Sequence, residues 1–188
     1  MNEEKAALIT GKALERYFDF NEASFEFHKL FNLDHREART IAILGGTFLE
    51  MALEHILRAY FPEDEKEVDN LFDYNQPLGT FSGKISMAFC LGLIDKLIKD
   101  DLTLVRKIRN EFAHELFANF DNAKISSWCN ELKFHKVFLM TEPPKDATAI
   151  EIFQVGVNTL ISNLSGCISN ARGQKLKIED GLKVFIQR

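Results

Sequence analysis

The stretch between Asp34 and Phe61 is the most apolar part of the chain, and it limits how the chain can fold. Drawn as a helix, it carries large apolar side chains around nearly its whole circumference: Ile41, Ile43, Leu44, Phe48, Leu49, Met51, Leu53, Ile56 and Leu57. A helix that is hydrophobic on most sides must be surrounded by other helices, so it belongs at the centre of a bundle. Glu50 and Glu54 interrupt the apolar pattern toward one end, and Pro62 closes the segment.

Two adjacent glycines, Gly45 and Gly46, lie inside this apolar segment. Each glycine costs a helix about 1 kcal/mol relative to alanine, so a pair needs a reason. A phosphate-binding role requires a glycine-rich loop, and these glycines lie within a helix. We therefore predict that the pair permits another helix to pack closely.

The rest of the chain also shows helical periodicity. Residues 85–94 form a second apolar helix, with Thr80 or Ser82 as its N-cap. Asp100 or Asp101 is predicted to cap a third helix that ends near Leu116. A shorter helix follows over residues 123–134, and a long amphipathic helix follows the break at residues 141–144. These patterns predict an all-α bundle of five to seven helices.

A chain of 188 residues, with only 10 Gly and 4 Pro, fits one domain. We predict a single domain over residues 1–188. Residues 1–33 form an N-terminal helical segment, residues 34–171 the core bundle, and residues 172–188 a basic tail. Alternating apolar residues in that tail leave three structures open: a short hairpin, a frayed end, or an arm exchanged with a partner chain.

The formal net charge of −5 argues against a broad nucleic-acid surface, although a local basic cleft stays compatible with it. Cys90, Cys129 and Cys167 fit no zinc-site spacing, so we interpret them as small buried thiols of a reducing compartment. His28 and His135 are interpreted, with His35, as surface or boundary residues.

No secretory signal is recognisable in residues 1–5, and residues 152–171 contain too many polar side chains for a membrane span. We therefore expect a soluble cytoplasmic protein without membrane contact.

The string that runs from Arg106 to His114 is the strongest candidate for chemistry. On a helical wheel with Arg109 at zero, Asn110 lies at about 100° and His114 at about 140°, on one polar face. Arg109 lies beside the apolar stripe, so its guanidinium must reach water or meet a partner from another helix. Glu50 is our predicted ion-pair partner for Arg109.

The three residue types suit phosphate chemistry. The arginine fork binds phosphoryl oxygens, the histidine exchanges a proton near neutral pH, and the asparagine holds a hydroxyl or phosphate oxygen without charge. No carboxylate cluster has a convincing metal-ligand arrangement, so the sequence implies neither a metal nor another cofactor.

Arg109, Asn110 and His114 resemble the Arg-x4-His signature of HEPN domains, which are small helical bundles common in prokaryotic toxin and defence systems. In catalytic members, two protomers bring their motifs together and cleave RNA without metal. The resemblance implies a homodimer in which His114 acts as acid or base, Arg109 stabilises the transition state, and Asn110 positions the motif or substrate.

A second resemblance covers residues 37–121, from Glu37 to Asp121. The segments Pro77-Leu78-Gly79-Thr80-Phe81-Ser82 and Leu91-Gly92-Leu93-Ile94, together with Ile85 and the helix of Arg109, are similar to the mannitol-operon repressor (MltR-like) family. Members of that family are assigned to transcriptional regulation without a recognisable helix-turn-helix. The resemblance implies regulation through protein contacts.

Two main functional hypotheses follow. The first is a HEPN-like homodimer that binds and cleaves single-stranded RNA, as a metal-independent endoribonuclease, through paired Arg109, Asn110 and His114 sites. The alternative is a non-enzymatic transcriptional regulator of the mannitol-operon repressor type, whose partner is a transcription factor. A third reading is an antitoxin or scaffold subunit with a degenerate site.

Overall fold

The computed structural model describes residues 20–31 and 37–177. These residues form helices and no strands: α1 Phe20–Phe31, α2 Ala38–Tyr60, α3 Glu65–Phe72, α4 Phe81–Cys90, α5 Lys96–His114, α6 Ala123–Asn130, α7 Phe134–Leu139 and α8 Ala149–Gly173. Seven of these helices have eight or more residues, and α7 is a turn and a half of six. The predicted all-α bundle is confirmed. The predicted hairpin or arm falls largely on residues 178–188, outside the described residues.

Helix α2 is the central helix, as its apolar circumference predicts. Leu49, Leu53, Ile56 and Leu57 are fully buried, and α2 packs against α1, α4, α5 and α8. By length and composition α2 is also the one described helix that could cross a membrane, with a mean hydropathy of 1.4. Its burial among four other helices is the arrangement of a core helix.

Aromatic rings join the outer helices to this centre. Phe27 of α1 stacks on Phe48 of α2 with the ring centroids 4.3 Å apart. Phe120, in the segment after α5, contacts Phe112 of α5 at 4.9 Å and Phe153 of α8 at 5.3 Å. The apolar stripe of α8 is buried as its periodicity predicts, which makes α8 the second long helix of the core.

Helix caps confirm one prediction and correct another. Thr80 caps α4, since its hydroxyl accepts a hydrogen bond from the Gly83 amide. Helix α5, however, begins at Lys96, and its N-cap is Asp95 rather than Asp100 or Asp101. Asp95 Oδ1 accepts a hydrogen bond from the Ile98 amide, more than a turn before Asp100, so the helix starts there. The helix ends at His114.

Asp101 serves a different element. Its buried carboxylate accepts hydrogen bonds from the backbone amides of Lys133 and Phe134, at 2.8 to 3.1 Å. These amides lie at the start of α7, which has no cap of its own from the Lys133 side chain. Helix α5 therefore supplies the cap of α7 from across the bundle. Burial raises the pKa of Asp101, and the two backbone hydrogen bonds oppose that rise.

Two predicted burial states were wrong. Cys90 is exposed, because it is the last residue of α4 and faces away from the core. His135 is buried, because it lies on the side of α7 that packs against α8 and α5. Cys129 is buried as predicted, and burial raises the pKa of its thiol to about 12, whereas Cys167 is only half-buried.

Candidate functional site

The predicted residues Arg109, Asn110 and His114 occupy the C-terminal half of α5. Arg109 Nη1 donates a hydrogen bond to Asn110 Oδ1 at 3.2 Å, so the structure brings these two side chains together. His114 is the last residue of the helix and is exposed. Within the described residues, no hydrogen bond joins His114 to either of the other two.

Arg109 lies against Gly46 of α2. A Cβ built on Gly46 would lie 2.7 Å from Arg109 Cγ and 2.8 Å from Arg109 Cβ, closer than packed atoms allow. Gly45 faces the other side, where a Cβ would meet Phe31 at 3.1 Å and Phe153 at 3.3 Å. The predicted role of the glycine pair in close packing is confirmed, and Gly46 provides the space for the stem of Arg109.

The predicted partner of Arg109 is also in place. Glu50 Oε2 lies 3.4 Å from Arg109 Nη2, and the other oxygen of the same carboxylate lies 3.3 Å from Lys84 Nζ. Gly46 and Glu50 are one helical turn apart on α2. The glycine therefore accommodates the arginine stem while the glutamate, on the same face, pairs with its charge.

Ion pairs continue from Glu50 across three helices. Lys84 also contacts Glu54 at 2.9 Å, Arg58 contacts Glu54 at 2.9 Å, and Arg58 contacts Asp69 of α3 at 2.7 Å. Burial alone would raise the pKa of Glu54, but the hydrogen bonds and charges of Lys84 and Arg58 outweigh it and lower that pKa. Glu54 is therefore an ionised structural link between α2 and α4.

A cavity of about 430 Å³ adjoins this network. Its polar wall includes Glu50, Glu54 and Lys84, and its apolar wall includes Met51 and Phe72. Sequence reasoning missed Lys84, because a lysine in the first turns of an amphipathic helix is typical of a solvated face. In the fold, Lys84 is buried between two carboxylates.

Arg39 is a second residue that sequence reasoning missed. Its guanidinium donates to the backbone carbonyls of Phe112, Glu115 and Leu116 at the C-terminal end of α5. The distances to the last two oxygens are 2.8 Å and 2.7 Å. The last carbonyls of a helix lack partners within the helix and carry partial negative charge, so a cation there stabilises the end. Arg39 thereby fixes the turn that follows His114.

The described residues contain no group of three or more His, Cys, Asp or Glu side chains that could hold a metal ion. Beside Arg109 the structure shows a guanidinium shared by a carboxylate and an amide.

No protein-family model matches the chain, and no curated protein matches it in sequence. Among solved structures, it is similar to the X-ray structure of the MtlR-HPr complex from Escherichia coli. The TM-score is 0.54 at 22% sequence identity, and the match covers 79% of this chain and 98% of that chain. The chain thus shares a fold with MtlR, the mannitol repressor, which confirms the second predicted resemblance at the level of the fold.

Proposed function

We propose that the chain is a regulator without catalytic activity of its own, which acts by binding another protein as mannitol-operon repressors do. The observation that carries the proposal is the shared fold with MtlR, whose structure is that of a complex with HPr. The match spans 98% of the MtlR chain. We accordingly propose HPr as the partner.

The proposed contact point is the turn after α5. Leu116 and Phe117 are 77% and 85% exposed, an uncommon display for two adjacent large apolar side chains. Arg39 binds the Leu116 carbonyl, so the backbone that carries the pair is held in place. Exposed aromatic side chains on a rigid backbone make good anchors, because little conformational entropy is lost on binding.

The contacts of Arg109 support a structural role. Its guanidinium is shared between Glu50 and Asn110, and its stem fills the space above Gly46. RNA binding and cleavage through Arg109, Asn110 and His114 rest on the sequence motif alone, and the HEPN resemblance has no support from the comparisons. That activity, homodimerisation and a cytoplasmic location remain predictions.

Calorimetric titration with HPr from the same organism tests the proposal. We expect binding by the native chain, and a loss of about tenfold or more in affinity when Leu116 and Phe117 are both replaced by Asp. Tyr74→Asp is the matched control, because Tyr74 is 87% exposed in another turn, and its affinity should be unchanged. No binding by the native chain would exclude HPr as the partner.

Incubation with single-stranded RNA in the presence of a chelator tests the alternative. We expect intact RNA with the native chain and with His114→Ala. Cleavage by the native chain that disappears in His114→Ala would overturn the proposal and establish the ribonuclease. Light scattering of the same samples measures whether the chain is a dimer.

A further inference from the structure

A second cavity lies between α7, the loop of residues 140–148 and the first turns of α8, and it shares no lining residue with the cavity beside Glu50. Its volume is about 480 Å³, within the range of small-molecule sites. The apolar wall includes Leu139, Pro143, Pro144, Ile152 and Val155. The cavity is thus large enough for an organic ligand and mostly apolar.

His135 forms part of the same wall and is 2% exposed. Neither Nδ1 nor Nε2 has a hydrogen-bond partner, and in the described part of the chain no other buried side-chain nitrogen or oxygen is left so. Buried polar groups almost always have a partner, so these two nitrogens beside a cavity point to a partner that the chain does not supply, a water molecule or a ligand.

Charge around the cavity narrows the class of ligand. Three carboxylates line it, those of Glu142, Asp146 and Glu151, and no lysine or arginine does. Lys136 pairs with Glu142 at 3.1 Å, which leaves the balance of the lining negative. Burial and the nearby Lys136 lower the pKa of His135, so its neutral ring offers one donor and one acceptor. An anionic ligand would meet carboxylates without a cation in the wall.

We propose that this cavity binds a small, mainly apolar organic molecule, neutral or cationic, whose hydrogen-bonding group pairs with the His135 imidazole. The Cβ–Cγ torsion of histidine is broad, so a rotation of the ring turns one nitrogen toward the cavity. The site goes beyond the proposed regulatory function and does not depend on it, because none of its residues belongs to the turn of Leu116 and Phe117.

Three related probes test the chemistry by NMR titration of the native chain. Indole has an apolar body and one N–H donor, 1-methylindole has nearly the same body without the donor, and indole-3-carboxylate adds a negative charge. We expect indole to shift the resonances of His135 and Val155, 1-methylindole to bind about tenfold more weakly, and the carboxylate not to bind. No shift with indole, or shifts confined to other parts of the chain, would overturn the proposal.

Variants locate the site. Val155→Arg fills the cavity from α8, and His135→Phe keeps the ring volume while removing both nitrogens; each should weaken indole binding by about tenfold or more. Val137→Arg is the matched control, because Val137 is exposed on α7 but does not line the cavity, and its affinity should be native. Unchanged indole affinity in Val155→Arg, or in a folded His135→Phe, would overturn the proposal.

Discussion

The cavity beside Glu50 and the cavity beside His135 have similar volumes, about 430 and 480 Å³, but opposite chemistry. In the first, Lys84 and Arg58 pair with carboxylates from α2 and α3. In the second, an imidazole is buried without a partner. The difference shows that burial of a polar group is informative only together with its partners. The paired charges beside Glu50 stabilise the contact between helices, whereas the unpartnered imidazole of His135 supports a binding site for a ligand.

The largest effect is expected when the cap of α7 is removed, and it should be confined to the region around His135. Asp101→Ala leaves the amides of Lys133 and Phe134 without their acceptor, so we expect a loss of about 2–3 kcal/mol in the free energy of unfolding. Urea denaturation measures the loss, and amide shifts should change around His135 but not around Glu50. Asp100→Ala is the control, since Asp100 pairs on the surface with Lys96 and should matter little. Equal effects of the two substitutions would contradict the capping role of Asp101.

The next effect concerns the packing beside Glu50. In Gly46→Ala the new methyl group would overlap the stem of Arg109, and such overpacking costs about 1–3 kcal/mol. The gain in helix propensity offsets up to about 1 kcal/mol, so we expect a net loss of about 1–2 kcal/mol. Gly166→Ala on α8 is the control, because nothing lies within 4 Å of its Cβ position, and it should stabilise the chain. Thermal unfolding measures the change in stability of both variants. Stabilisation by Gly46→Ala would contradict the close approach of Arg109.

A substitution at His135 is expected to stabilise the chain, in contrast to the two substitutions above. His135→Phe removes two unpartnered nitrogens from the interior, so we expect the free energy of unfolding at pH 7 to rise by about 1 kcal/mol. His28→Phe is the contrast, because His28 Nδ1 bonds to Asn158 Oδ1 at 2.8 Å, and it should destabilise the chain. Destabilisation of the folded chain by His135→Phe would show that the imidazole has a stabilising partner.

The same variant has a predicted pH dependence. Burial lowers the pKa of His135 in the folded chain below the ordinary value of 6.5, so the unfolded chain binds the proton first as pH falls. The native chain should therefore lose stability from about pH 6.5 down to the folded pKa, while His135→Phe lacks this contribution. Urea denaturation from pH 7 to pH 5 should show a growing gap between the two proteins. A constant gap would contradict the buried neutral imidazole.

The smallest effect is expected for Glu50→Gln. The pairs of Glu50 with Arg109 and Lys84 are 3.4 and 3.3 Å long, Arg109 is partly exposed, and Lys84 retains Glu54. We expect a loss of at most about 1 kcal/mol in the free energy of unfolding. A double-mutant cycle with Arg109→Met measures the coupling between the two side chains. No coupling would leave packing against Gly46 as the main role of Arg109.

Arg109 and Glu50 could be predicted as a pair because both follow from the pattern of apolar and charged residues along their own helices. Arg109 beside an apolar stripe needs a partner, Glu50 is a carboxylate on the central helix, and the two are paired in the fold. Arg39 could not be found in this way, because its role depends on carbonyls 73 to 77 residues further along the chain. Nothing in the spacing of residues near Arg39 indicates that contact.

The sequence by itself determined the all-α architecture, the central position of α2 and the tight packing at Gly45 and Gly46, and it limited the cap of α4 to Thr80 or Ser82. Each of these follows from helical periodicity or from backbone chemistry within a few residues. Only the tertiary structure decided that Asp101 caps α7 and that His135 is buried without a partner. The helix of His135 has six residues, too few for its periodicity to show which side is buried. The helices that pack against it determine which of its side chains are buried.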